Sequence, residues 1–535
     1  MQQSILKSLQ KPDAYPEPTD SVRLLQTHVS FLFITDNFVY KIKKPVDFGF
    51  LNFTTVDRRR FFCSEEVRLN RRLCPEIYLG VVELRESPSG ANFRGEGNVI
   101  DYAVKMKRLP EERMLDRMLA EGKVTEADIR RIARIIASFH LNAERGGAID
   151  EFGGSASIRR NWAENFRQIA EFVNISLTKT DLEIIMRWVG TFMEANEALF
   201  AKRVSDGFIR DCDGDIHLEN ICLASSVFIF DCIEFNDSFR YIDTAADIAF
   251  LLMDLDYHGK SNYSAVFLDE YAAISGDPGV RRLLEFYKIY RAIVRGKVES
   301  LKLFDPDIPE TDKCIAQGKA RRYFRLARGY VIRQELPPAL IITCGLMGSG
   351  KSAIASALAF ELGLEIISSD AVRKGLGKIP RYTRNLDEYG KGLYAPAFTE
   401  ATCLEMLSGS EQALQAGRSI VVDATFRKKG DRARFGRISA RYGAQFYIVQ
   451  TFCPENTIKQ RLDERSRNPG ELSDGRWELF NQQKEEFESP GKEEGKLICI
   501  DTTRPIYDNI DYILQDMEIA YGTQILAKGA ASSES

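Results

Sequence analysis

The sequence predicts two domains of different fold class, an α+β domain over residues 1–335 and an α/β domain with a parallel sheet over residues 339–523. The first segment opens with short apolar runs of strand-like alternation and becomes mostly helical after Met114. In the second segment strand-like runs alternate with helical ones, which is the order of a parallel sheet covered by helices. The boundary is placed at Pro337 and Pro338, because two consecutive prolines end a helix and stiffen a linker.

The composition is that of an ordinary globular protein, with 44% hydrophobic and 28% charged residues in a chain of 535. Lys and Arg number 73 against 77 Asp and Glu, so no charge excess indicates a nucleic-acid coat protein. No apolar run approaches the roughly 18 residues of a membrane helix, and residues 1–18 lack the apolar segment of a secretory signal. The 10 cysteines form no CxxC pair, which argues against a zinc site and against disulfides. We therefore expect a soluble cytoplasmic protein with no membrane segment and a flexible tail over residues 524–535.

A phosphate-binding motif directly follows the first strand of the second segment. Residues 345–352 read GLMGSGKS and match G-x-x-x-x-G-K-[ST] at every fixed position, between an apolar strand and an amphipathic helix. Glycines let backbone N–H groups turn toward phosphate oxygens, and the helix N-terminus adds its dipole. Lys351 is expected to bridge the β- and γ-phosphates of ATP, and the Ser352 hydroxyl to bind Mg²⁺. The predicted nucleotide-binding residues are Gly345, Gly348, Ser349, Gly350, Lys351 and Ser352.

Two carboxylates at predicted strand ends extend this site. Asp370 follows the run 365–369, at the edge where open α/β sheets bind ligands, and we expect it to accept the proton of an attacking hydroxyl. Arg373, one helical turn later, is expected to hold an anionic acceptor, and the alternative is a helix N-cap Asp beside a surface Arg. Asp423 ends an apolar strand, as a Walker B Asp must in order to reach Mg²⁺ through water.

A basic pair lies further along the second segment. Arg461 and Arg465 are four residues apart and share one helix face, so they could clamp the transferring phosphoryl group; a solvated basic face is the alternative. With these features the segment resembles P-loop kinases of the polynucleotide-kinase and zeta-toxin type, and small-metabolite kinases of that fold. The resemblance implies phosphoryl transfer to a hydroxyl group, and a switch that hydrolyses ATP is the alternative.

Five spaced residues in the first segment form the pattern of a second nucleotide site. Lys41 lies on a strand-like run and Glu66 on a helical run, and protein-kinase-like folds hold the α- and β-phosphates with such a pair. Asp215 and Asn220 have the spacing D-x-x-x-x-N, and Asp231 ends the next apolar strand. Asp215 is expected to orient or deprotonate the acceptor hydroxyl, while Asn220 and Asp231 hold Mg²⁺.

This pattern resembles the aminoglycoside phosphotransferase-like kinases, whose signature is H-G-D-x-x-x-x-N followed by a strand that ends in a carboxylate. Glu234, Asp243 and Asp247 fit the looser tail of that signature, and His140 is expected to be a core histidine on its apolar helix face. The resemblance implies a two-lobed protein-kinase-like domain over residues 1–335. The whole chain resembles bacterial two-domain proteins that fuse such a kinase to a P-loop kinase.

Two departures from the signature bear on the activity of the first domain. Asp213 stands where the family has His, so we expect a perturbed catalytic loop. No glycine precedes Gly49, so no Gly-rich loop covers the nucleotide, and phosphate contact would fall to backbone near residues 28–30. A nucleotide-binding regulatory pseudokinase is therefore the alternative for this domain.

A basic run before the boundary carries interleaved aromatic residues. Such a run can follow a nucleic-acid backbone and stack on bases, and the alternative is an amphipathic helix whose aromatics pack on the core. Its cationic members are Lys319, Arg321, Arg322, Arg325, Arg328 and Arg333.

The sequence thus predicts a bifunctional ATP-dependent phosphotransferase that uses ATP and Mg²⁺ at two unrelated sites. Asp215 is the predicted base of the first site and Asp370 that of the second. The expected partners are small-molecule hydroxyl acceptors, with a 5′-hydroxyl polynucleotide as an alternative for the P-loop domain. Neither acceptor nor the oligomeric state follows from the sequence.

Overall fold

The computed structural model describes residues 2–49, 51–88, 90–306, 308–380, 391–467 and 476–517. The predicted tail over residues 524–535 lies outside these ranges. Packing divides the chain into two compact units. Unit 1 comprises Met1–Glu171 and Val189–Lys297, and unit 2 comprises Phe172–Trp188 and Val298–Ser535.

The helices and strands are as follows. The helices are α1 (Gln3–Leu9), α2 (Val56–Asn70), α3 (Leu115–Ala120), α4 (Glu126–Asn142), α5 (Ser155–Ile169), α6 (Lys179–Ala195), α7 (Glu197–Ser205), α8 (Thr244–Tyr257), α9 (Ser261–Ser275), α10 (Val280–Leu301), α11 (Glu310–Glu335), α12 (Lys351–Leu362), α13 (Ser369–Leu376), α14 (Pro396–Gln415), α15 (Lys429–Arg441), α16 (Glu455–Ser466), α17 (Phe480–Glu485) and α18 (Ile506–Asp516). The strands are β1 (Arg23–Gln26), β2 (Ser30–Ile34), β3 (Phe38–Lys43), β4 (Tyr78–Ser87), β5 (Gly90–Asn92), β6 (Asn98–Lys107), β7 (Ile209–Asp211), β8 (Ile221–Leu223), β9 (Val227–Ile229), β10 (Tyr241–Asp243), β11 (Ala339–Cys344), β12 (Glu365–Ser368), β13 (Ile420–Asp423), β14 (Gln445–Phe452) and β15 (Lys496–Asp501).

Unit 1 begins with an antiparallel sheet of strand order β1-β2-β3-β6-β4-β5. On β3 the side chains alternate between two faces, as the pleat requires. Tyr40 and Ile42 are buried in a core that includes Phe33 and Leu84. The intervening Lys41 and Lys43 therefore lie on the face that carries α2, which contacts β4 and β6. Helices and two short antiparallel pairs, β7–β10 and β8–β9, follow the sheet.

Unit 2 contains the predicted parallel sheet, with strand order β12-β13-β11-β14-β15 and parallel pairing throughout. Every residue of the central strand β11 is buried, because helices cover both faces of the sheet. One hydrophobic cluster joins the sheet to α12 and α18, and another joins it to α14 and α15. The carboxyl ends of the parallel strands share one edge, so the loops after β11, β12 and β13 converge there.

Helix α11 packs with unit 2, although the sequence placed it at the end of the first predicted domain. It lies so close to α12 that a Cβ at Gly329 would be 1.6 Å from the carbonyl oxygen of Glu361. The Arg325 and Arg328 side chains reach Glu361, and both are buried. The compact units therefore do not divide at Pro337, because α11 contributes both buried charged groups and apolar side chains such as Ile332 to the packing of unit 2.

Buried ion pairs extend this attachment to residues from the first half of the chain. Arg328 Nη1 lies 2.9 Å from Asp181 Oδ1, and Arg325 Nη2 lies 2.7 Å from Glu361 Oε2. Asp511 on α18 accepts both guanidinium groups, at 2.9 and 2.8 Å. Charges removed from water need such partners, so this cluster specifies how the helices of unit 2 pack.

Other members of the basic run also contact groups within unit 2. Arg321 donates to the carbonyl oxygen of Ile175 at 2.9 Å. The guanidinium carbons of Arg322 and Arg333 lie 4.2 Å and 4.4 Å from the ring centroids of Phe360 and Tyr330. The run therefore behaves mainly as a packing surface of α11. Across the described ranges, no helix combines the length and apolar character needed to cross a bilayer.

The close approach at Gly329 yields a stability prediction. A Gly329→Ala substitution places its methyl group against Glu361 backbone, so we expect the free energy of unfolding of unit 2 to fall by about 1–3 kcal/mol. Gly318 on the same helix is the matched control, because nothing lies within 4 Å of its added Cβ. Gly318→Ala should be neutral or stabilising by up to about 1 kcal/mol. Chemical denaturation with hydrogen exchange of α11 and α12 peptides measures both, and equal effects of the two substitutions would contradict the described packing.

Candidate active sites

The predicted ion pair between Lys41 and Glu66 is present in unit 1. Lys41 Nζ on β3 lies 2.8 Å from Glu66 Oε1 on α2 and 2.6 Å from Asp231 Oδ1. The α2 helix is held in place for this contact by its N-cap, where the Thr55 side chain accepts from the backbone N–H of Arg58. Burial alone would lower the pKa of Lys41, but Asp231 and Glu66 raise it well above its usual value. Lys41 therefore stays charged.

A second lysine, which the sequence analysis did not select, shares the same carboxylate. Lys43 Nζ lies 2.7 Å from Glu66 Oε2 and also pairs with Glu234. Lys43 and Glu66 are almost completely buried, at 1% and 0% exposure. Burial would raise the pKa of Glu66, but the two ammonium groups hold it at about 2. The signal that could have identified Lys43 is its spacing of two from Lys41, which puts both on one face of a strand.

The loop that carries Asp215 is held by a buried carboxylate on α8. Asp247 accepts hydrogen bonds from the backbone N–H groups of Asp213 and Gly214, at 3.1 and 2.8 Å. His140 Nε2 lies 3.0 Å from the Asp247 carboxylate, and His140 Nδ1 lies 2.8 Å from the Tyr271 hydroxyl. His140 is 2% exposed, which agrees with the prediction of a core histidine. His140 Nε2 therefore holds Asp247, and through it the loop, while Nδ1 ties the imidazole to Tyr271.

Asp213, the residue in place of the signature His, makes a backbone contact of its own. Its Oδ1 accepts the N–H of Asp215 at 3.2 Å. Burial, followed by the nearby charge of Asp247, raises the pKa of Asp213 well above its usual value. A carboxyl group therefore braces the loop where the family signature has an imidazole.

Asp215 and Asn220 are in direct contact, and the backbone N–H of Phe230, the residue before Asp231, donates to the Asn220 carbonyl at 3.1 Å. Asn220 Nδ2 donates to the backbone carbonyl of Asp215 at 3.1 Å and to its carboxylate at 3.3 Å. Asp231 has a left-handed backbone with φ of 67°, and its side chain is 45% exposed. The Asp231 carboxylate therefore contacts Lys41 and keeps access to solvent.

His217, which the sequence analysis did not assign, lies beside Asp215. Its Nε2 lies 3.6 Å from Asp215 Oδ2, and its imidazole is 7% exposed. Burial would lower the pKa of His217, but Asp215 raises it above its usual value. Burial would also raise the pKa of Asp215, which His217 and then Arg295 and Arg291 lower. Positive charge near Asp215 therefore favours the ionised form of its carboxyl group.

In the turn between β1 and β2, which the sequence analysis proposed for phosphate contact in place of a Gly-rich loop, backbone N–H groups form hydrogen bonds within the turn. The backbone N–H groups of Val29 and Ser30 donate to Thr27 Oγ1, at 3.3 and 3.0 Å. Two of the donors in the segment 28–30, which the sequence proposed for phosphate contact, are therefore satisfied within the turn.

In unit 2 the phosphate-binding loop connects β11 to α12. Gly345, Gly348 and Gly350 have φ of +146°, +74° and +91°, a region that side-chain-bearing residues rarely adopt. An added Cβ at Gly350 would also contact Thr502 at 3.0 Å. The Ser349 hydroxyl lies 2.7 Å from that of Thr451, so Ser349 joins the loop to β14.

Lys351, Ser352 and Asp423 occupy the expected edge of the sheet. Lys351 Nζ donates to the Leu346 carbonyl within the loop at 2.8 Å, and Ser352 is exposed at the start of α12. Asp423 ends β13, and its Oδ1 accepts the hydroxyl of Thr343 on the adjacent strand at 2.9 Å. Burial lowers the pKa of Lys351, which Asp423 and Asp370 partly offset. Asp423 and Asp370 thus both act on Lys351.

The predicted pair of Asp370 and Arg373 lies on α13, the helix that follows β12. Arg373 Nη1 lies 3.4 Å from Asp370 Oδ1 on the same helix, α13. The Arg373 guanidinium carbon lies 4.8 Å from the ring centroid of Tyr394. Its Nε is buried and makes no hydrogen bond with the residues that the structure describes.

The two arginines of α16 differ in their surroundings. Arg461 donates to the carbonyl of Thr502 at 2.8 Å, to its hydroxyl at 2.9 Å and to the Gly348 carbonyl at 3.4 Å. It therefore supports the loop backbone in this structure, whereas the sequence expected it on the phosphoryl group. Arg465 contributes to lowering the pKa of Lys351, so its positive charge acts on the loop. Gln483, which the sequence analysis did not select, accepts the N–H of Met347 at 2.7 Å.

Comparison with known proteins identifies the domain around this loop. Residues 340–490 match the family model described as an AAA domain. The protein named Uncharacterized protein Rv2004c, from Mycobacterium tuberculosis, is 32% identical over 432 residues, which are 80% of this chain and 83% of that protein. The same figures hold for Uncharacterized protein Mb2027c from Mycobacterium bovis. The chain belongs to the family of these mycobacterial proteins. The likeness exceeds the length of unit 2, so the family relationship extends into unit 1.

Three more distant likenesses involve smaller parts of the chain. A UPF0200 protein from Aeropyrum pernix is 32% identical over 152 residues, 26% of this chain and 70% of that protein. The crystal structure of a gluconokinase from Sinorhizobium meliloti 1021 has 20% identity and a TM-score of 0.25, covering 37% of this chain and 99% of that one. The Mycobacterium tuberculosis APS kinase in complex with AMPPNP and APS has 18% identity and a TM-score of 0.26, covering 34% and 99%.

The shared Glu66 carboxylate yields a prediction for this member of the family. Lys43→Met leaves Glu66 and Glu234 buried with one ammonium group fewer, so we expect the stability of unit 1 to fall by about 3–5 kcal/mol. Adding Glu234→Gln removes the surplus negative charge, so the double variant should recover part of the loss. Thermal and urea unfolding of wild type, both single variants and the double variant measure this. An additive double variant would show that the two side chains do not interact.

Proposed function

We propose that the chain is a bifunctional ATP-dependent phosphotransferase, with a protein-kinase-like site in unit 1 and a P-loop kinase site in unit 2. The observation that carries the proposal for unit 1 is that the Lys41 ammonium contacts both Glu66 and Asp231. A strand lysine between a helix carboxylate and a metal-binding carboxylate is the arrangement that holds ATP phosphates in protein-kinase-like folds. The antiparallel sheet, the α2 helix and the Asp215 loop support the two-lobed, aminoglycoside phosphotransferase-like interpretation of this unit.

In unit 1, Asp215 would accept the proton of the acceptor hydroxyl. The acceptor oxygen forms its bond to the γ-phosphorus while the bond from that phosphorus to the β–γ bridging oxygen breaks, and ADP leaves with the electron pair. Asn220 and Asp231 fit a Mg²⁺ ion, because amide and carboxylate oxygens are the ligands it prefers, and Asp231 is accessible. When bound, Mg²⁺ neutralises charge on the β- and γ-phosphates. ATP phosphates would compete with Asp231 for Lys41.

In unit 2, the loop amides and Lys351 would bind the phosphates, and Asp370 would accept the proton of a second acceptor. Ser352 and Asp423 fit Mg²⁺ at this site, because an exposed hydroxyl and a strand-end carboxylate lie beside the loop. The Nε of Arg373, which is buried and makes no hydrogen bond with any residue in the described ranges, is suited to an anionic or hydrogen-bonding acceptor. A small metabolite is the acceptor that we propose for unit 2, with a 5′-hydroxyl polynucleotide as the alternative.

A second candidate function assigns regulation to unit 1. Asp213 replaces the signature His, and the amides of Val29 and Ser30 are satisfied by Thr27, so both features favour nucleotide binding without transfer. In that case only unit 2 is an enzyme, either a kinase or an ATPase. The contact of Asn220 with the Asp215 carboxylate favours transfer, because it places the base beside a metal ligand.

Acceptor phosphorylation by single-site variants separates these functions. Wild type, Asp215→Asn and Lys351→Met are incubated with labelled ATP, Mg²⁺ and pools of sugars, aminoglycosides, nucleosides and 5′-hydroxyl oligonucleotides. We expect Asp215→Asn to abolish transfer to one acceptor and Lys351→Met to abolish transfer to another, each by at least about a hundredfold. Each variant is its own control for the site that it leaves intact.

The opposite pattern assigns unit 1 to regulation. If Asp215→Asn leaves every activity unchanged while Lys351→Met removes all of them, unit 1 performs no transfer. ATP hydrolysis by unit 2 without any phosphorylated product would instead favour the alternative in which unit 2 is a switch that hydrolyses ATP.

A further inference from the structure

The Glu66 carboxylate contacts two lysines that differ in their access to solvent. Lys41 and Lys43 are two residues apart on β3, so their side chains leave the strand on the same face. The Lys41 side chain is 12% exposed, and its ammonium contacts Asp231, whose side chain is 45% exposed. The Lys43 side chain is only 1% exposed. Lys41 is therefore the lysine with access to a bound phosphate, whereas Lys43 is enclosed by the protein.

The surroundings of Lys43 are two carboxylates and an aromatic ring. Its ammonium lies 2.7 Å from Glu66 Oε2 and also contacts Glu234. It lies 4.9 Å from the ring centroid of Phe53, which is completely buried. Burial would lower the pKa of Lys43, but Glu234 and Glu66 raise it above its usual value. Lys43 is therefore a cation held between two buried carboxylates.

Glu234 connects this cation to the segment that carries the candidate metal ligand Asp231. It follows Asp231 by three residues, and its side chain is 7% exposed. Asn70 at the end of α2 accepts the backbone N–H of Cys232 at 3.0 Å, so the same segment is also attached to α2. Lys43 thus joins β3 both to α2 and to the segment that follows β9.

Nucleotide binding would change the demand on Lys41. In protein-kinase-like folds one lysine pairs with the helix carboxylate and also binds the α- and β-phosphates. If Lys41 alone compensated Glu66, phosphate and carboxylate would compete for one ammonium group. A buried carboxylate that loses its partner is strongly destabilising. Because Lys43 also contacts Glu66, Lys41 can turn to a phosphate without leaving the carboxylate unpaired.

We propose that Lys43 is a positioning residue of the nucleotide site in unit 1, which keeps Glu66 paired while Lys41 binds the phosphates of ATP. This inference rests on the proposed function of unit 1, because it assigns a role within that site. Lys43 acts through Glu66 and Glu234 rather than by touching the nucleotide. Loss of Lys43 should therefore weaken ATP binding even where the net charge and the fold are retained.

Nucleotide affinity in a charge-balanced variant tests the proposal. The parent is the intact Lys351→Met chain, whose P-loop site is silenced, and calorimetry measures binding of a non-hydrolysable ATP analogue with Mg²⁺. Lys43→Met combined with Glu234→Gln removes one positive and one negative charge. Glu66 then keeps only one of its two ammonium groups, and we expect the dissociation constant to rise about tenfold. Lys43→Arg, which keeps a cation at this position, should lose less affinity.

A second buried ion pair on α2 provides the matched control. Arg59 Nε on α2 lies 2.9 Å from Asp101 Oδ1 on β6, and both residues are buried. Arg59→Met combined with Asp101→Asn therefore also removes one charge of each sign from the attachment of α2 to the sheet. We expect this control to lower the urea midpoint while the affinity for the ATP analogue stays that of the parent. An equal loss of affinity in both double variants would overturn the proposal, because only the attachment of α2 would then matter.

Urea unfolding without nucleotide tests the shared carboxylate directly. Lys41→Met leaves Glu66 one ammonium group in the parent, but neither of the two in the Lys43→Met, Glu234→Gln background. We therefore expect Lys41→Met to lower the urea midpoint more in that background than in the parent. Additive shifts would overturn the proposal, because Lys41 and Lys43 would then not share the compensation of Glu66.

The binding measurement also separates this inference from the proposed function. If the parent binds no ATP analogue, the proposed nucleotide site of unit 1 is refuted, and this inference with it. If the parent and the Lys43→Met, Glu234→Gln variant bind the analogue equally tightly, this inference alone is overturned. Weaker binding by that variant, with the affinity of the Arg59 and Asp101 control unchanged, is the result that we expect.

Discussion

The Glu66 carboxylate lies between the ammonium groups of Lys41 and Lys43, and it is completely buried. A charge in that position is tolerated only while both partners are present, because the cost of removing it from water exceeds that of losing one hydrogen bond. The pairing fixes α2 against the sheet and sets the position of Lys41. Lys41 in turn contacts Asp231. The position of this lysine between Glu66 and Asp231 therefore depends on how the buried charge of Glu66 is compensated.

Unit 2 relies on the same constraint at a different place. The helix that follows the phosphate-binding loop, α12, begins at Lys351 and carries Glu361 in its last turn. Glu361 is 2% exposed and pairs with Arg325 and Arg328 of α11. The loop end of α12 is therefore oriented by a buried ion pair at its other end. In both units a helix carboxylate paired with buried cations holds the element that the site depends on.

Local patterns predicted the parts of the molecule whose signals lie close together in the sequence. The phosphate-binding loop was recognisable because glycine, lysine and serine spacing is dictated by phosphate chemistry, and the parallel sheet because its buried strands are continuous apolar runs. The pairing of Lys41 with Glu66 was predicted from a known arrangement of strand and helix. The antiparallel sheet of unit 1 follows the alternation of its first strands.

Contacts between distant segments were not predictable in the same way. Lys43 shares a strand face with Lys41, but its partners Glu66 and Glu234 come from distant segments of the chain. Gln483 and Thr502, which support the phosphate-binding loop, lie far along the chain from it and carry no local signal. The packing of α11 and residues 172–188 with unit 2 includes buried ion pairs, and charged side chains in a sequence do not show whether they are solvated or paired.

Nucleotide stoichiometry tests the central claim, that one chain holds two separate nucleotide sites, most directly. Equilibrium binding of a non-hydrolysable ATP analogue with Mg²⁺ is measured on the intact chain and on Lys351→Met and Lys41→Met. The account predicts two equivalents bound per chain, one lost with each substitution, and no binding in the double variant. A single equivalent that Lys351→Met abolishes and Lys41→Met leaves intact would contradict it, because unit 1 would then hold no nucleotide.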